Sequence, residues 1–489
     1  INLLVSRQDE SVPVVVEDNP TYHNLFGFIE TVTYKGTVYT DFSLIRPGSL
    51  HRANGGYLLM DATKVLEHGF VWDALKRAIR SREISIHSLE RELTLSGTIS
   101  LEPEAVPLDV KLVLFGDRET WLLLQEYDPE FAELFRVTAD FENEMPRTTE
   151  SQVLYAKFIA SLCQDKGLLP CSKQAVARVI EYSSRLAEHQ NRLSLHAVDI
   201  ANVLREADFH ARSGGEDGID PEHVDQALVS ADYRSGRIRD EFLQGFADGS
   251  MLLSFSGRAV GQVNGLSVLS TGGYEFGLPN RISGTCQYGD GDVIHIERDV
   301  KLSGSIHSKG VMILSAWLSA HFAREQPMPL TATLTFEQSY AEIDGDSASL
   351  GELCAIVSAL AEQPVRQDMA VTGSVNQHGD VQPVGGLNEK VEGFLDACVA
   401  RGDAQDKAVI LPASNVQNLM LARRVRDAVK ANGFRVYAVS RVEEVLALML
   451  ELPVGEPDRN GHYPADSLFG RIEQRLADLR RRQDDEKSD

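Results

Sequence analysis

No apolar run in this chain approaches the about eighteen residues needed to cross a bilayer, so no helical membrane span is expected. Cysteine is scarce. The five residues Cys163, Cys171, Cys286, Cys354 and Cys398 form no C-x-x-C pair, which argues against a disulfide framework or a cysteine-bound zinc and fits a reducing, cytoplasmic setting. Basic residues are outnumbered, 48 against 72 acidic, for a formal net charge of −24. So acidic a surface repels phosphate backbones, and a nucleic-acid groove is not expected. H-E-x-x-H is missing, and with it any expected metal site, as is the G-x-S-x-G elbow that presents a nucleophilic serine. The dipeptide Gly-Lys never occurs, so there is no G-x-x-x-x-G-K loop to cradle a triphosphate. The chain opens Ile1-Asn2-Leu3-Leu4-Val5 without Met or a signal-peptide pattern, which leads to the expectation of a fragment of something longer.

What is present is ordinary globular material: 489 residues, 43% apolar and 25% charged, too long for a single core. Residues 1–145 alternate strand-like runs (Tyr57–Met60, Val110–Phe115) with an amphipathic stretch over Val65–Arg80, the order of a parallel α/β layer. Residues 146–245 carry helical spacing and no strand signal, a small all-α domain. Residues 246–455 are first β-rich and then alternate helix and strand, an α+β domain. The spacing predicts strands at 331–337, 369–375, 408–411 and 435–438, with helices at 310–322, 348–361, 387–401 and 416–431. Residues 456–489 read as a charged tail, with an exposed helix from Ser467 that frays at its end.

One stretch organises the third region: Tyr340-Ala341-Glu342-Ile343-Asp344-Gly345-Asp346-Ser347-Ala348-Ser349-Leu350. It follows a strand and precedes apolar residues at helical spacing, so a short turn delivers Ser347 onto a helix start. Unpaired N–H groups and the positive end of the helix dipole there favour a developing oxyanion. An ordinary N-cap would look the same. Calcium is rejected for Asp344-Gly345-Asp346, because position six is Ser349 and the terminal Glu is missing. About forty residues on, Val384-Gly385-Gly386-Leu387-Asn388-Glu389-Lys390-Val391 places Lys390 in the first turn of a helix beside apolar neighbours. Burial depresses a lysine's pKa, and a neutral amine can take a serine's proton. An exposed helix lysine is the alternative for Lys390 read alone.

Taken together, Gly345-Asp346-Ser347-Ala348-Ser349, Thr372-Gly373 and Gly385-Gly386-Leu387-Asn388-Glu389-Lys390 resemble, in order and spacing, the proteolytic domain of Lon proteases. The D-S-A-S form is similar to the LonB-type branch, as are Asn264-Gly265-Leu266-Ser267-Val268 and Leu411-Pro412-Ala413-Ser414-Asn415. The resemblance implies that Ser347 is the nucleophile and Lys390 the general base. It implies that Thr372 orients the amine, and that Asp344 contacts the lysine and holds the site at rest. The backbone N–H groups around Asp346 and Ser347 would hold the oxyanion. His307 and Lys309 are given structural roles near the site.

Upstream, His51 through Ala62 looks like the Walker B strand of a LonB ATPase domain, with Asp61 kept and Ala62 where a glutamate is expected. Asp117 stands at the sensor-1 position, where Asn is usual. Arg136 resembles an arginine finger and Arg205 a sensor-2 arginine. The implied architecture is a partial AAA+ α/β domain, a small all-α lid and an α+β Lon-type proteolytic domain. No cofactor is expected in this chain; ATP and Mg would require a preceding segment to supply the missing loop, and a degenerate ATPase module is favoured. The implied function is a serine endopeptidase acting on unfolded proteins within a hexameric ring. Two rivals remain: an ATPase remodeller that uses the protease domain as a platform, and a non-enzymatic assembly module in which Ser347 only caps a helix.

Overall fold

The computed structural model describes residues 3–6, 11–34, 37–86, 101–289, 293–299, 302–323, 326, 328–339, 344–459 and 461–488. Residues 340–343 of the serine stretch lie outside these. The chain divides into two compact units, Ile1–Phe141 and Glu142–Asp489.

In the first unit, β1 (Val14–Glu17), β2 (Tyr57–Asp61) and β3 (Lys111–Phe115) pair in parallel with β2 at the centre, the α/β layer the alternation predicts. Helices α1 (Ala62–Glu67) and α2 (Val71–Ser81) follow β2, and α3 (Arg118–Tyr127) follows β3. The single helix expected over 65–80 is therefore two. His68-Gly69 separates them and Phe70 takes a left-handed φ of 71°, which no continuous helix accommodates. Leu50, Leu58, Met60, Val65, Val71 and Leu75 form the core of this unit.

The second unit opens with α4 (Thr149–Lys166), α5 (Lys173–Leu186), α6 (Ala197–Gly214), α7 (Pro221–Ser235) and α8 (Arg237–Asp248). Tyr155, Ile159, Val179, Leu193, Leu204 and Val224 are buried between them. This region also holds a short antiparallel pair, Glu144–Pro146 with Arg192–Ser194, which at three residues is too short to show a period in sequence.

A seven-stranded mixed sheet follows. Its strands are β4 (Gln262–Thr271), β5 (Tyr274–Tyr288), β6 (Val293–His295), β7 (Leu330–Phe336), β8 (Met369–Val371), β9 (Lys407–Pro412) and β10 (Phe434–Val439), in the order β6-β7-β5-β4-β8-β9-β10. The β4–β5 and β5–β7 pairs are antiparallel and the others parallel. Helices α9 (Ser305–Phe322) and α10 (Ser349–Ala361) share a core with this sheet, and all thirteen residues of α10 are buried. Helix α11 (Leu387–Ala400) belongs to a second core with Phe276, Leu278, Val409 and Phe434. The helix expected over 416–431 is a 3-10 segment, Ala413–Asn418, and then a short helix, Arg423–Lys430. The Asn415 side chain bonds both the amide and the carbonyl of Val384, which draws this segment out of helical register.

The C-terminal helix α12 (Leu468–Ser488) is not the exposed element its charge predicts. Leu468, Phe469, Ile472 and Leu476 are buried in the α9–α10 core, and the Arg475 guanidinium donates to the carbonyls of Ala359 and Leu360 at 2.8 and 3.1 Å. Four apolar residues on one face outweigh the charged run on the other, since burying each contributes about 1.5–3 kcal/mol.

Candidate active site

Ser347 lies two residues before α10, whose N-cap is Ala348, and so not in the first helical turn that the sequence suggests. Its carbonyl is captured instead by the Gly373 amide at 2.8 Å and the Thr372 hydroxyl at 3.3 Å, and is unavailable to a helix. Further bonds tie the serine loop to the continuation of β8. Leu350 N donates to Gly373 O at 3.1 Å, Val375 N to Ser349 Oγ at 3.3 Å and Ser374 Oγ to Asp346 Oδ2 at 2.7 Å. Gly345 takes a φ of 98° at the turn, a conformation a side chain resists. The Ser347 side chain is half-buried, and the amides of Asp346 and Ser347 have no acceptor among the described residues. Unclaimed N–H groups at a serine are what an oxyanion requires.

Lys390 reaches this neighbourhood on α11. The helix is pressed onto β5 by two glycines: a Cβ on Gly277 would sit 2.0 Å from Glu389 O and 2.7 Å from the Lys390 Cα, and one on Gly393 would sit 2.0 Å from Gly277 O. Backbone against backbone leaves the lysine 3% exposed. Asn388 and Asn415 hold the start of the helix, the first by accepting the Met420 amide at 2.6 Å and the second through Val384.

Among the described residues the Lys390 amine has no hydrogen-bond or ion-pair partner. Burial pulls its pKa down from 10.5 to about 8, against the opposing attraction of the Asp346 and Glu389 carboxylates. A lysine that feels Asp346 is close to the residue before Ser347. The site thus joins a half-exposed hydroxyl, open amides and an amine much less basic than usual. That is the equipment for nucleophilic attack on an acyl carbon.

The remaining candidates sit as follows. Thr372 is fully buried and spends its hydroxyl on the Ser347 carbonyl rather than on the lysine. Asp344 is exposed and accepts the Gly345 amide at 2.9 Å; its carboxylate lies against Gly304 and forms no ion pair with Lys390 among the described residues. Lys309 is exposed, whereas His307 is buried and bonded to Glu352.

One contact had no signal in the sequence. Arg185 of α5 holds Glu392 and Glu389, at 2.5 and 3.2 Å, on either side of Lys390 along α11. Only the fold brings residues some 200 positions apart into one cluster.

The nucleotide-site remnants are engaged locally. Asp61 Oδ1 caps α1 through the amides of Thr63 and Lys64, and Asp117 caps α3 through Thr120 N at 2.6 Å. Ala62 faces Gly116 across the strand ends, so no second carboxylate is present there. Arg136 donates to Glu133 O and Arg205 to Asn202 Oδ1, both on the surface. Asp61 and Asp117 thus each commit a carboxylate oxygen to a helix cap, and Ala62 offers no acidic side chain beside Asp61.

Comparison with known proteins gives three matching family models: the LonB-like AAA domain over residues 10–142, the archaeal LonB AAA+ ATPase LID domain over 170–234, and the Lon protease C-terminal proteolytic domain over 336–452. A putative Lon protease homolog of Escherichia coli is 36% identical over 415 residues, 83% of this chain and 69% of that one. A putative Lon protease homolog of Haemophilus influenzae is 32% identical over 441 residues, 89% of this chain and 71% of that one. An archaeal Lon protease of Archaeoglobus fulgidus is 26% identical over 464 residues, 91% and 71% of the two chains.

Proposed function

This chain belongs to the Lon protease family, and on that premise we propose that it is a serine endopeptidase in which Ser347 is the nucleophile and Lys390 its general base. The observation that carries the reading is Lys390 itself: buried, without a hydrogen-bond or ion-pair partner among the described residues, and with a pKa of about 8. An amine so placed is neutral in a useful fraction of molecules near neutral pH, and the ideal catalytic pKa lies near the operating pH.

The neutral Lys390 Nζ takes the proton from Ser347 Oγ as the oxygen attacks the peptide carbonyl carbon. The carbonyl π electrons move onto oxygen, where the Asp346 and Ser347 amides receive the charge. Collapse of the tetrahedral intermediate expels the amine, which takes the proton back from Lys390. Water, deprotonated by the same lysine, then releases the acyl group and restores Ser347. Thr372 acts through the backbone, fixing the carbonyl of the nucleophile.

We extend the proposal to substrates and assembly: unfolded or loosely folded polypeptides, reaching the site through a hexameric ring of this chain. Among the described residues no helix is long and apolar enough to cross a membrane. No nucleotide step is assigned, because the Asp61 and Asp117 carboxylates already serve helix caps. The test is cleavage of an unfolded protein by wild type, Ser347→Ala and Lys390→Ala, with sedimentation to read the assembly. Both variants should lose cleavage and keep the oligomer; unchanged cleavage in either refutes the dyad.

A further inference from the structure

Three ligating side chains that this reaction does not use converge behind the serine loop. His295 ends β6, His307 stands in the first turn of α9 and Glu352 in the first turn of α10, five residues beyond Ser347. They are 0%, 1% and 0% exposed. His295 Nε2 and His307 Nε2 lie 3.1 and 2.9 Å from the same oxygen, Glu352 Oε1, with the two rings 4.6 Å apart. One ligand atom from each residue falls within 4.8 Å of the others. We propose that His295, His307 and Glu352 form a structural binding site for a divalent transition metal of the zinc class.

The spacing suits a shared ion. Two ligand atoms about 2.0–2.1 Å from a tetrahedral zinc are about 3.3 Å apart, close to the distances found before any ion draws them into place. The outer nitrogens also face oxygen atoms. His295 Nδ1 is 3.4 Å from Glu297 Oε2, and Glu297 is fixed by the Thr335 hydroxyl at 2.8 Å and the Phe336 amide at 2.7 Å. His307 Nδ1 is 3.0 Å from Ser303 Oγ. Metal-ligating imidazoles characteristically engage a carboxylate or hydroxyl through the far nitrogen in this way, so that the near one presents its lone pair to the ion.

Electron bookkeeping points the same way. A carboxylate only accepts, and an imidazole that carries its proton on Nδ1, on the side of Glu297 Oε2 at 3.4 Å, presents a lone pair at Nε2. That lone pair faces Glu352 Oε1, a second acceptor, and something positive belongs between them. A proton would answer for that contact. It would leave Glu352 Oε2, which is buried with no partner among the described residues. A carboxylate that chelates a metal through both oxygens satisfies both atoms. Two imidazoles and one carboxylate favour zinc-class ions over calcium or magnesium, which take mainly oxygen ligands.

The ion would join β6, α9 and the start of α10. The site is closed to solvent, as structural rather than catalytic metals are. It stands whether or not Ser347 and Lys390 are the dyad.

The test uses the full chain without a histidine tag. Elemental analysis of protein grown with zinc should find about one metal ion per chain, and Glu352→Gln and His307→Ala should each lower retention about tenfold or more. Co²⁺ titrated into chelator-stripped wild type should give a saturable visible absorption band at one equivalent. Ser303→Ala, which removes the hydroxyl at the outer nitrogen of His307 and no proposed metal ligand, should weaken Co²⁺ binding about tenfold with the fold intact. Wild type that holds no more metal than Glu352→Gln overturns the proposal, as does a stripped wild type that gives no saturable Co²⁺ band; a proton then bridges the histidines and the glutamate. The titration of wild type decides the matter even if the ligand variants fail to fold.

Discussion

Two α/β layers in this chain bring polar side chains to the C-terminal ends of parallel strands, where such sheets ordinarily bind ligands. In the first unit, Asp61 and Asp117 sit at those ends half-exposed or exposed, and each carboxylate closes the helix that follows. In the second unit the strand-end residues bond the serine loop, while Lys390 is buried beside it without a hydrogen-bond or ion-pair partner among the described residues. A carboxylate used as a cap has found its lowest-energy use, contributing about 1 kcal/mol to its helix. A lysine whose burial outweighs the pull of nearby carboxylates is destabilising, and a fold retains it where the depressed basicity serves a purpose.

Breaking the second site should therefore have far larger consequences than breaking the first. Ser347→Ala should lower kcat/KM for peptide cleavage by on the order of a thousandfold or more, with little change in melting temperature, since one half-buried hydroxyl is removed. Lys390→Arg should lose nearly as much, because a guanidinium does not deprotonate in proteins.

The lysine also gives the comparison a thermodynamic edge. Its folded pKa of about 8 lies below the 10.5 of the unfolded chain, so the folded state binds fewer protons between those values and stability contributed at this position rises with pH across that window. Below about pH 8 the buried ammonium destabilises by on the order of 3 kcal/mol. Denaturant unfolding should accordingly find Lys390→Met more stable than wild type at pH 7, with the gap narrowing as the pH approaches 10.5. A gap that does not change with pH would show that the amine titrates normally.

Smaller effects should follow from the neighbours. Arg185 offsets Glu389 and Glu392 beside the amine, so Arg185→Ala should move the acidic limb of the pH–rate profile to higher pH. Thr372→Val should cost about fivefold in rate, the equivalent of one hydrogen bond of roughly 1 kcal/mol. At the other site, Asp61→Ala or Asp117→Ala should remove about 1 kcal/mol from the first unit and leave peptide cleavage untouched.

How much of this was legible in the sequence depended on whether the signal was local. Ser347 and Lys390 stand in short motifs that their order and spacing bring out, and the α/β layer and helical region follow from hydrophobic period; the Thr372 hydroxyl, expected at the amine, goes to the Ser347 carbonyl. The start of α10 was misplaced because capture of the Ser347 carbonyl by Gly373 and Thr372 is a contact across 25 residues. No sequence motif marks Gly277 and Gly393 as partners, although their mutual approach is what presses α11 onto β5. Asp344 read as a partner for Lys390, yet the turn at Gly345 carries it to Gly304. The His295–His307–Glu352 group had no motif, since its members come from three separate elements. In the last helix the charged run concealed four buried apolar residues.

The account rests on a buried Lys390 of lowered basicity serving as the base for Ser347. The most direct measurement is the pH dependence of Ser347 phosphonylation by a serine-reactive fluorophosphonate, read by intact mass in wild type and Lys390→Met. The rate should rise along a single limb centred at about pH 8 in wild type and fall to background in the variant. Labelling that is flat with pH, or that proceeds at the wild-type rate in Lys390→Met, would contradict it.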